Sequence, residues 1–179
     1  MTTAATPAAT SALLLLQDFD TEISNTRRTL ERVPEDQGEW RPHPKSMPLG
    51  KLAMHCAGLP MFGFYIMEEE GMDLAHPTLP PPQMTFTSRE NCLRLLEETS
   101  AKSRAALAAA SNEALAHPWR FSFGEHLISN DPRSLAFRYM CFNHLVHHTA
   151  QLGVYLRLLD IPVPALYGPS ADEQWLPAK

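Results

Sequence analysis

The chain has 179 residues, of which 44% are hydrophobic and 20% charged, an ordinary balance for a soluble globular protein. This length suits one domain, so we assign residues 1–179 to a single helical domain with irregular tails at about 1–10 and 165–179. The formal net charge is −5, and Lys and Arg form no basic run, which argues against nucleic acid as a partner.

The cysteines and the apolar runs bear on location. Three cysteines without CxxC spacing are typical of reduced thiols in a cytoplasmic protein. The apolar run at 13–16 is too short for a signal peptide, and no stretch approaches the roughly 18 apolar residues of a membrane span. The sequence therefore predicts a cytoplasmic protein that has no contact with the membrane.

Apolar periodicity predicts two long helices in the first half of the chain. The first covers about residues 10–33 and ends before Pro34. The second covers about residues 48–70, and we expect a kink at Gly58 and Pro60, because proline cannot donate the next helical hydrogen bond.

Two more helices are predicted in the second half. The third covers about residues 88–110 and begins with capping-box spacing. Residues 119–123 alternate in polarity, which predicts a short extended or hairpin-like piece. The fourth helix covers about residues 131–159, with Asp131 as its N-cap and Pro132 in its first turn. Four helices with a long crossover before the last one predict an all-α four-helix bundle.

The densest candidate chemistry lies in the fourth predicted helix. His144 and His148 are four residues apart, so both imidazoles project from one face and can share a metal ion. A helical wheel places both on the inner stripe and His147 toward its edge, as a neighbour of the ligands or an interfacial residue. A third ligand must come from elsewhere. His55 is the best candidate, because an unpartnered histidine in the apolar stripe of the second helix costs free energy.

These residues also have ordinary alternative roles. An inward histidine is commonly a hydrogen-bonded core residue, and an HxxxH pair on a helix also arises by chance. Cys141, one turn before His144, is favoured as a small buried hydrophobic residue over a metal ligand or a redox-sensitive neighbour. Glu68, Glu69 and Glu70 are favoured as a solvated patch over a general base.

Four segments, in this order, resemble the DinB-like (YfiT-like) superfamily of metal-binding four-helix proteins. They correspond to its entry loop, second helix, last helix and tail, and are Glu39-Trp-Arg-Pro42, Pro48-Leu-Gly-Lys-Leu-Ala-Met-His55, Asn143-His-Leu-Val-His-His-Thr-Ala-Gln-Leu152, and Leu159-Asp-Ile-Pro-Val-Pro164 with Tyr167-Gly168. The resemblance covers most of the chain. It departs at Thr149-Ala150, where the family often has Arg-Gly, so a charge is lost there.

The resemblance implies that His55, His144 and His148 hold one divalent ion, nickel or zinc being the expected metals. It also implies a homodimer. Independently, several apolar residues lie opposite the histidines on the last helix and form a candidate dimer face. The residues of this face are Leu135, Tyr139, Phe142 and Val146.

Two kinds of function remain open from the sequence. Some members of the resembled family are thiol-dependent transferases or isomerases, and others are assigned only as metal-dependent hydrolases. We therefore expect a metal-dependent hydrolase or a low-molecular-weight-thiol-dependent transferase acting on a small molecule. The alternative is a non-catalytic metal-binding or stress-associated helical module. No residue stands out as a nucleophile or general base, so the catalytic residues are left unassigned.

Overall fold

The structure is a computed structural model that describes residues 11–77 and 84–174. The tail predicted at 1–10, and residues 175–179 of the tail predicted at 165–179, lie outside the described residues. The helices are α1 (Ser11–Leu30), α2 (Leu49–Gly58), α3 (Met61–Glu68), α4 (Arg89–Ala109), α5 (Asn112–Ala116), α6 (Arg133–Ala136) and α7 (His144–Leu158), with a π-helical segment (Phe137–Asn143) between α6 and α7. The strands are β1 (Gly71–Asp73), β2 (Pro118–Phe123) and β3 (His126–Pro132).

The long helices form the predicted four-helix bundle. Its four units are α1, the pair α2–α3, α4, and the run from α6 through α7. Helix α4 packs against α1, α2 and α3, while α7 packs against α1 and α2. Two apolar clusters fill the interior, and the side chains of Ile23 and Phe62 contact both of them. In the described part of the chain, no helix has the length and apolar character needed to cross a membrane.

The kink predicted in the second helix is a two-residue interruption, at which Leu59 and Pro60 keep helical backbone angles. Helix α2 ends at Gly58 and α3 begins at Met61, with buried Pro60 between them. Two side chains of α4 cover the carbonyl groups at this break. Thr99 Oγ1 donates to the Ala57 carbonyl at 2.7 Å, and Ser103 Oγ donates to the Pro60 carbonyl. The break is therefore stabilised by α4.

The prediction of an all-α fold is wrong in one respect, because a small sheet of order β1-β2-β3 is also present. Strand β1 pairs in parallel with β2, and β2 pairs antiparallel with β3. The extended piece predicted at 119–123 is confirmed as part of β2. Gly124 turns the hairpin with a φ of +57°, a conformation that favours glycine.

Because of the strand pairing, two helices begin or end at residues other than the predicted ones. The second helix was expected to reach residue 70, but α3 ends at Glu68 and Gly71 begins β1. A Cβ atom at Gly71 would lie 2.5 Å from the Arg120 carbonyl oxygen, so glycine permits this strand pairing. The N-cap assigned to Asp131 is wrong, because Asp131 pairs with Trp119 in the sheet and the helix starts at Arg133.

The last helix differs from the regular helix assumed by the wheel. It contains the π-helical segment before α7, and its buried centre is formed by residues that pack between α1 and α2. These buried residues are Cys141, Leu145, Thr149, Leu152 and Leu156. His144 and His148 are half-buried beside this centre, on the side that faces α2, rather than on the main inner stripe.

Candidate metal centre

The three predicted histidines come together where α2 faces the start of α7. His55 lies in the last turn of α2, His144 is the first residue of α7, and His148 follows one turn later. The ring centroid of His55 lies 5.3 Å from that of His144 and 4.5 Å from that of His148. One ring nitrogen from each histidine can be chosen so that all three lie within 4.8 Å of one another. Such a group could hold a metal ion, and the ligand assignment itself stays a prediction.

The surroundings keep these imidazoles neutral. Burial, together with the neighbouring His148 and His144, lowers the pKa of His55 to about 4. Burial is also the main cause of the lowered pKa of His144 and of His148. A metal ion binds the unprotonated imidazole, so the depressed pKa values favour metal binding at neutral pH.

Two hydrogen bonds orient the histidines of α7. Nδ1 of His148 donates to Oε1 of Gln151 at 2.8 Å, which leaves Nε2 with its lone pair. The ring of His144 is hydrogen-bonded to the backbone of Met140, one turn earlier. Partners of this kind fix the tautomer and orientation of metal-binding histidines. Reasoning from the sequence missed Gln151, although its spacing of three from His148 places both on one helix face.

The other candidates lie outside the cluster. His147 is exposed, and its ring centroid lies 4.8 Å from that of His148. Cys141 is fully buried, and burial raises the pKa of its thiol to about 12, as expected of a small core residue. Glu68 is exposed, and Glu70 forms an ion pair with Arg133, so the acidic patch is turned toward solvent.

Thr149, where the family often has arginine, is buried between α1 and α7. Its hydroxyl lies 3.0 Å from the hydroxyl of Thr26, in a hydrogen bond that joins the two helices. It also hydrogen-bonds the thiol of Cys56, the residue after His55. The side chain of Thr149 on α7 therefore hydrogen-bonds α1 through Thr26 and α2 through Cys56, next to His148 and His55.

A cavity of about 280 Å³ opens beside the histidine cluster. His55 lines one end of it, and Tyr65 contributes a second polar side chain. The rest of its wall is apolar or glycine, including Phe62, whose ring centroid is 6.4 Å from that of His144. A small molecule in this cavity would lie next to the candidate metal centre. Nothing in the amino-acid sequence indicates the cavity, because its wall combines residues of α2, α3 and β1 with loop residues between β1 and α4.

The fold and the site define a helical-bundle protein with a candidate metal centre of three histidines. The chain belongs to the DinB superfamily, whose sequence profile matches residues 18–152. That range includes His55, His144 and His148, so the resemblance found in the sequence is confirmed. A comparison with curated proteins finds no match.

Solved structures show the same fold. A DinB-like protein from Bacillus subtilis, YjoA, is 17% identical, with coverage of 91% of this chain and 99% of that one and a TM-score of 0.65. YfiT from Bacillus subtilis, described as a probable metal-dependent hydrolase with an unusual four-helix bundle topology, is 12% identical, with coverage of 89% and 93% and a TM-score of 0.63. A mycothiol-dependent maleylpyruvate isomerase is 17% identical, with coverage of 77% and 59% and a TM-score of 0.57.

Proposed function

We propose that this protein is a divalent-metal-dependent enzyme in which His55, His144 and His148 hold the ion. One observation carries the proposal: three half-buried imidazoles with lowered pKa values gather their nitrogens within 4.8 Å. Burying three polar rings against one another without a shared ligand is costly, and a common ion offsets that cost. Nickel and zinc are the expected metals, since both accept neutral imidazole ligands.

The donor set fits a catalytic rather than a closed site. Three protein ligands leave coordination positions for water or substrate. When bound, the ion would supply a Lewis acid that lowers the pKa of a water or thiol molecule. His144 and His148 are held by Met140 and Gln151, so the chain presents them in a fixed orientation.

The nucleophile in this proposal comes from outside the protein. The three cysteine thiols are buried, and burial raises the pKa of each to about 12, so they stay protonated and inert. A water molecule as nucleophile makes the protein a hydrolase, and a low-molecular-weight thiol makes it a thiol-dependent transferase. The likeness to YfiT supports the first reaction, and the likeness to the mycothiol-dependent isomerase supports the second.

The first test is elemental analysis of the untagged protein by plasma mass spectrometry. We expect about one nickel or zinc ion per chain, and we expect His148→Ala and His55→Ala each to lose it while retaining the helical circular-dichroism spectrum. His147→Ala is the matched control, because His147 is exposed and lies outside the cluster. Retention of one tightly bound ion by His148→Ala would contradict the ligand assignment.

The metal result also directs the search for activity. If the ion is present, hydrolysis and thiol transfer are screened with and without low-molecular-weight thiols, and turnover should disappear in His148→Ala but not in His147→Ala. If metal binds but neither reaction depends on it, the non-catalytic metal-binding module is favoured. If no ion binds even after incubation with nickel or zinc, the histidines are ordinary core residues.

A further inference from the structure

Tyr65, on α3, is a buried tyrosine that lines the cavity beside the candidate metal centre. The residue is 8% exposed. Among the residues that the structure describes, none forms a hydrogen bond with its hydroxyl group. A buried tyrosine usually has a hydrogen-bond partner, because an unpaired hydroxyl costs free energy. The cavity is therefore where the hydroxyl of Tyr65 can meet a partner.

The rest of the cavity wall offers little else to a polar group. Among the described lining residues, the polar side chains are those of His55 and Tyr65, and the others are apolar or glycine. His55 belongs to the candidate metal centre. Tyr65 is therefore the polar side chain that remains for the part of a ligand that does not contact the ion.

We infer that Tyr65 is a specificity-determining residue, whose hydroxyl donates a hydrogen bond to an acceptor on the substrate. The inference rests on the proposed function, since it adds a second binding group to the same site. The substrate class that fits is a small molecule with an apolar body and two polar ends. One end faces the histidines, and the other is an acceptor such as a carbonyl, ether or nitrile group.

Phe62 separates the two polar ends of the site. Its ring centroid lies 6.4 Å from that of His144 and 6.5 Å from that of Tyr65. Phe62 also lines the cavity, so the apolar body of the substrate would pack against its ring while the two ends reach past it. A cavity of about 280 Å³ suits one small aromatic or aliphatic body of this kind.

The hydroxyl acts as a donor because it keeps its proton. Burial raises the pKa of Tyr65, and the neighbouring Glu69 carboxylate raises it in the same direction. A phenol that stays protonated at neutral pH offers one hydrogen bond to an acceptor. A substrate that lacks the acceptor would leave this buried hydroxyl unpaired, so the site discriminates against it.

The test uses probes that differ in the acceptor but not in shape. Benzonitrile is compared with ethynylbenzene, and 2-naphthonitrile with 2-ethynylnaphthalene, because the nitrile nitrogen accepts a hydrogen bond and the alkyne of the same outline has no such lone pair. Each probe is titrated calorimetrically into the full-length chain, after metal removal with a chelator so that the nitrile cannot bind an ion. In at least one pair, we expect the nitrile to bind about three- to tenfold more tightly.

Tyr65→Phe removes the hydroxyl and keeps the ring. In this variant the nitrile should lose its advantage, while the affinity for the alkyne stays close to that of wild type and shows that the cavity is intact. Tyr155→Phe is the matched control, since Tyr155 packs against Trp40 and does not line the cavity. It should keep the wild-type preference.

Infrared spectroscopy of the bound nitrile gives a second readout, which a merely structural role of Tyr65 would not change. A hydrogen bond to the nitrile nitrogen raises the C≡N stretching frequency. The band should therefore lie higher in wild type than in a solvent without hydrogen-bond donors. It should move down in Tyr65→Phe and stay in place in Tyr155→Phe.

Equal binding of nitrile and alkyne in both pairs overturns the inference, as does the binding of no probe at all. A preference or a raised band that persists in Tyr65→Phe also overturns it, because another group would then be the donor. A chain that binds one metal ion but shows no nitrile preference loses this inference and keeps the proposed function. A chain whose nitrile preference depends on Tyr65 but that binds no metal keeps the hydrogen-bonding role of Tyr65 and loses the proposed function.

Discussion

The hydrogen bond between His148 and Gln151 orients one of the three imidazoles of the candidate metal centre. At 2.8 Å, the amide oxygen of Gln151 holds the proton on Nδ1, and Nε2 keeps its lone pair. We predict that Gln151→Ala weakens metal affinity by about 10–100-fold without changing the metal stoichiometry at saturation. Competition titration with a chromogenic chelator measures this. Gln151→Glu, which retains an acceptor, should stay close to wild type, and equal losses in both variants would contradict the orienting role.

The buried imidazole of His55 predicts how the metal-free protein responds to acid. Its pKa lies at about 4 in the fold, below the ordinary 6.5, because burial disfavours the charged ring. The unfolded chain therefore binds the proton first as the pH falls. The stabilisation is fully present above pH 6.5 and is lost progressively as the pH falls toward about 4.

Urea denaturation of the chelator-treated protein over this pH range measures the effect. The free energy of unfolding should fall more steeply with acid in wild type than in His55→Leu, since the variant has no proton to gain at this position. His147→Leu is the control and should keep the wild-type slope, because His147 is exposed. Parallel slopes for wild type and His55→Leu would show that His55 is not held neutral by the fold.

At this scale the sequence predicted the main residues but not their partners. The offset between His144 and His148, and the apolar neighbours of His55, were sufficient to bring three histidines of two helices into one hypothesis. The contact of Thr149 with Thr26 was not predictable, because it depends on how α1 and α7 pack. The cavity was missed for the same reason, since its wall comes from several elements.

Among the elements, the break between α2 and α3 depends on α4. The buried hydroxyl of Thr99 makes its shortest contact with the Ala57 carbonyl, at 2.7 Å. Thr99→Val keeps the shape of the side chain but leaves that carbonyl without its donor, so we predict a loss of about 1–3 kcal/mol in the free energy of unfolding. Urea denaturation measures it. Thr21→Val, at an exposed threonine that bonds its own helix, should change stability by less than about 0.5 kcal/mol.

Element boundaries were predicted less well than element positions. Asp131-Pro132 has the composition of a helix start, yet strand pairing with β2 takes both residues into β3. Glycine is common just after the end of a helix, so Gly71 was expected to close the second helix. It begins β1 instead, because it pairs closely with the backbone of Arg120. In both places a tertiary contact decided between two local structures that the same residues allow. The π-helical segment was not predictable from the sequence. Because it has more residues per turn than an α-helix, it rotates the residues before it relative to those of α7, which the regular helical wheel did not include.

In the whole molecule, the last helical unit has a buried apolar side and a second apolar face that is partly exposed. The buried residues of α7 face α1 and α2, whereas Tyr139, on the π-helical segment before it, is 55% exposed. Leu135, Phe142 and Val146, which the sequence places on the same face as Tyr139, are half-buried. Apolar residues on a second face of one helical unit fit a two-fold symmetric contact, in which each copy covers the other.

We therefore predict a homodimer, with twice the monomer mass by light scattering at micromolar concentration. Tyr139→Glu should shift the protein to a monomer, because the symmetric contact would bury two carboxylates without partners. Val154→Glu is the matched control: Val154 is 59% exposed on α7 and borders Thr29 and Val163 rather than the residues of this face, so the variant should remain dimeric. A monomeric wild type would rule out the dimer, and dissociation of both variants would show that the contact lies elsewhere on the helix.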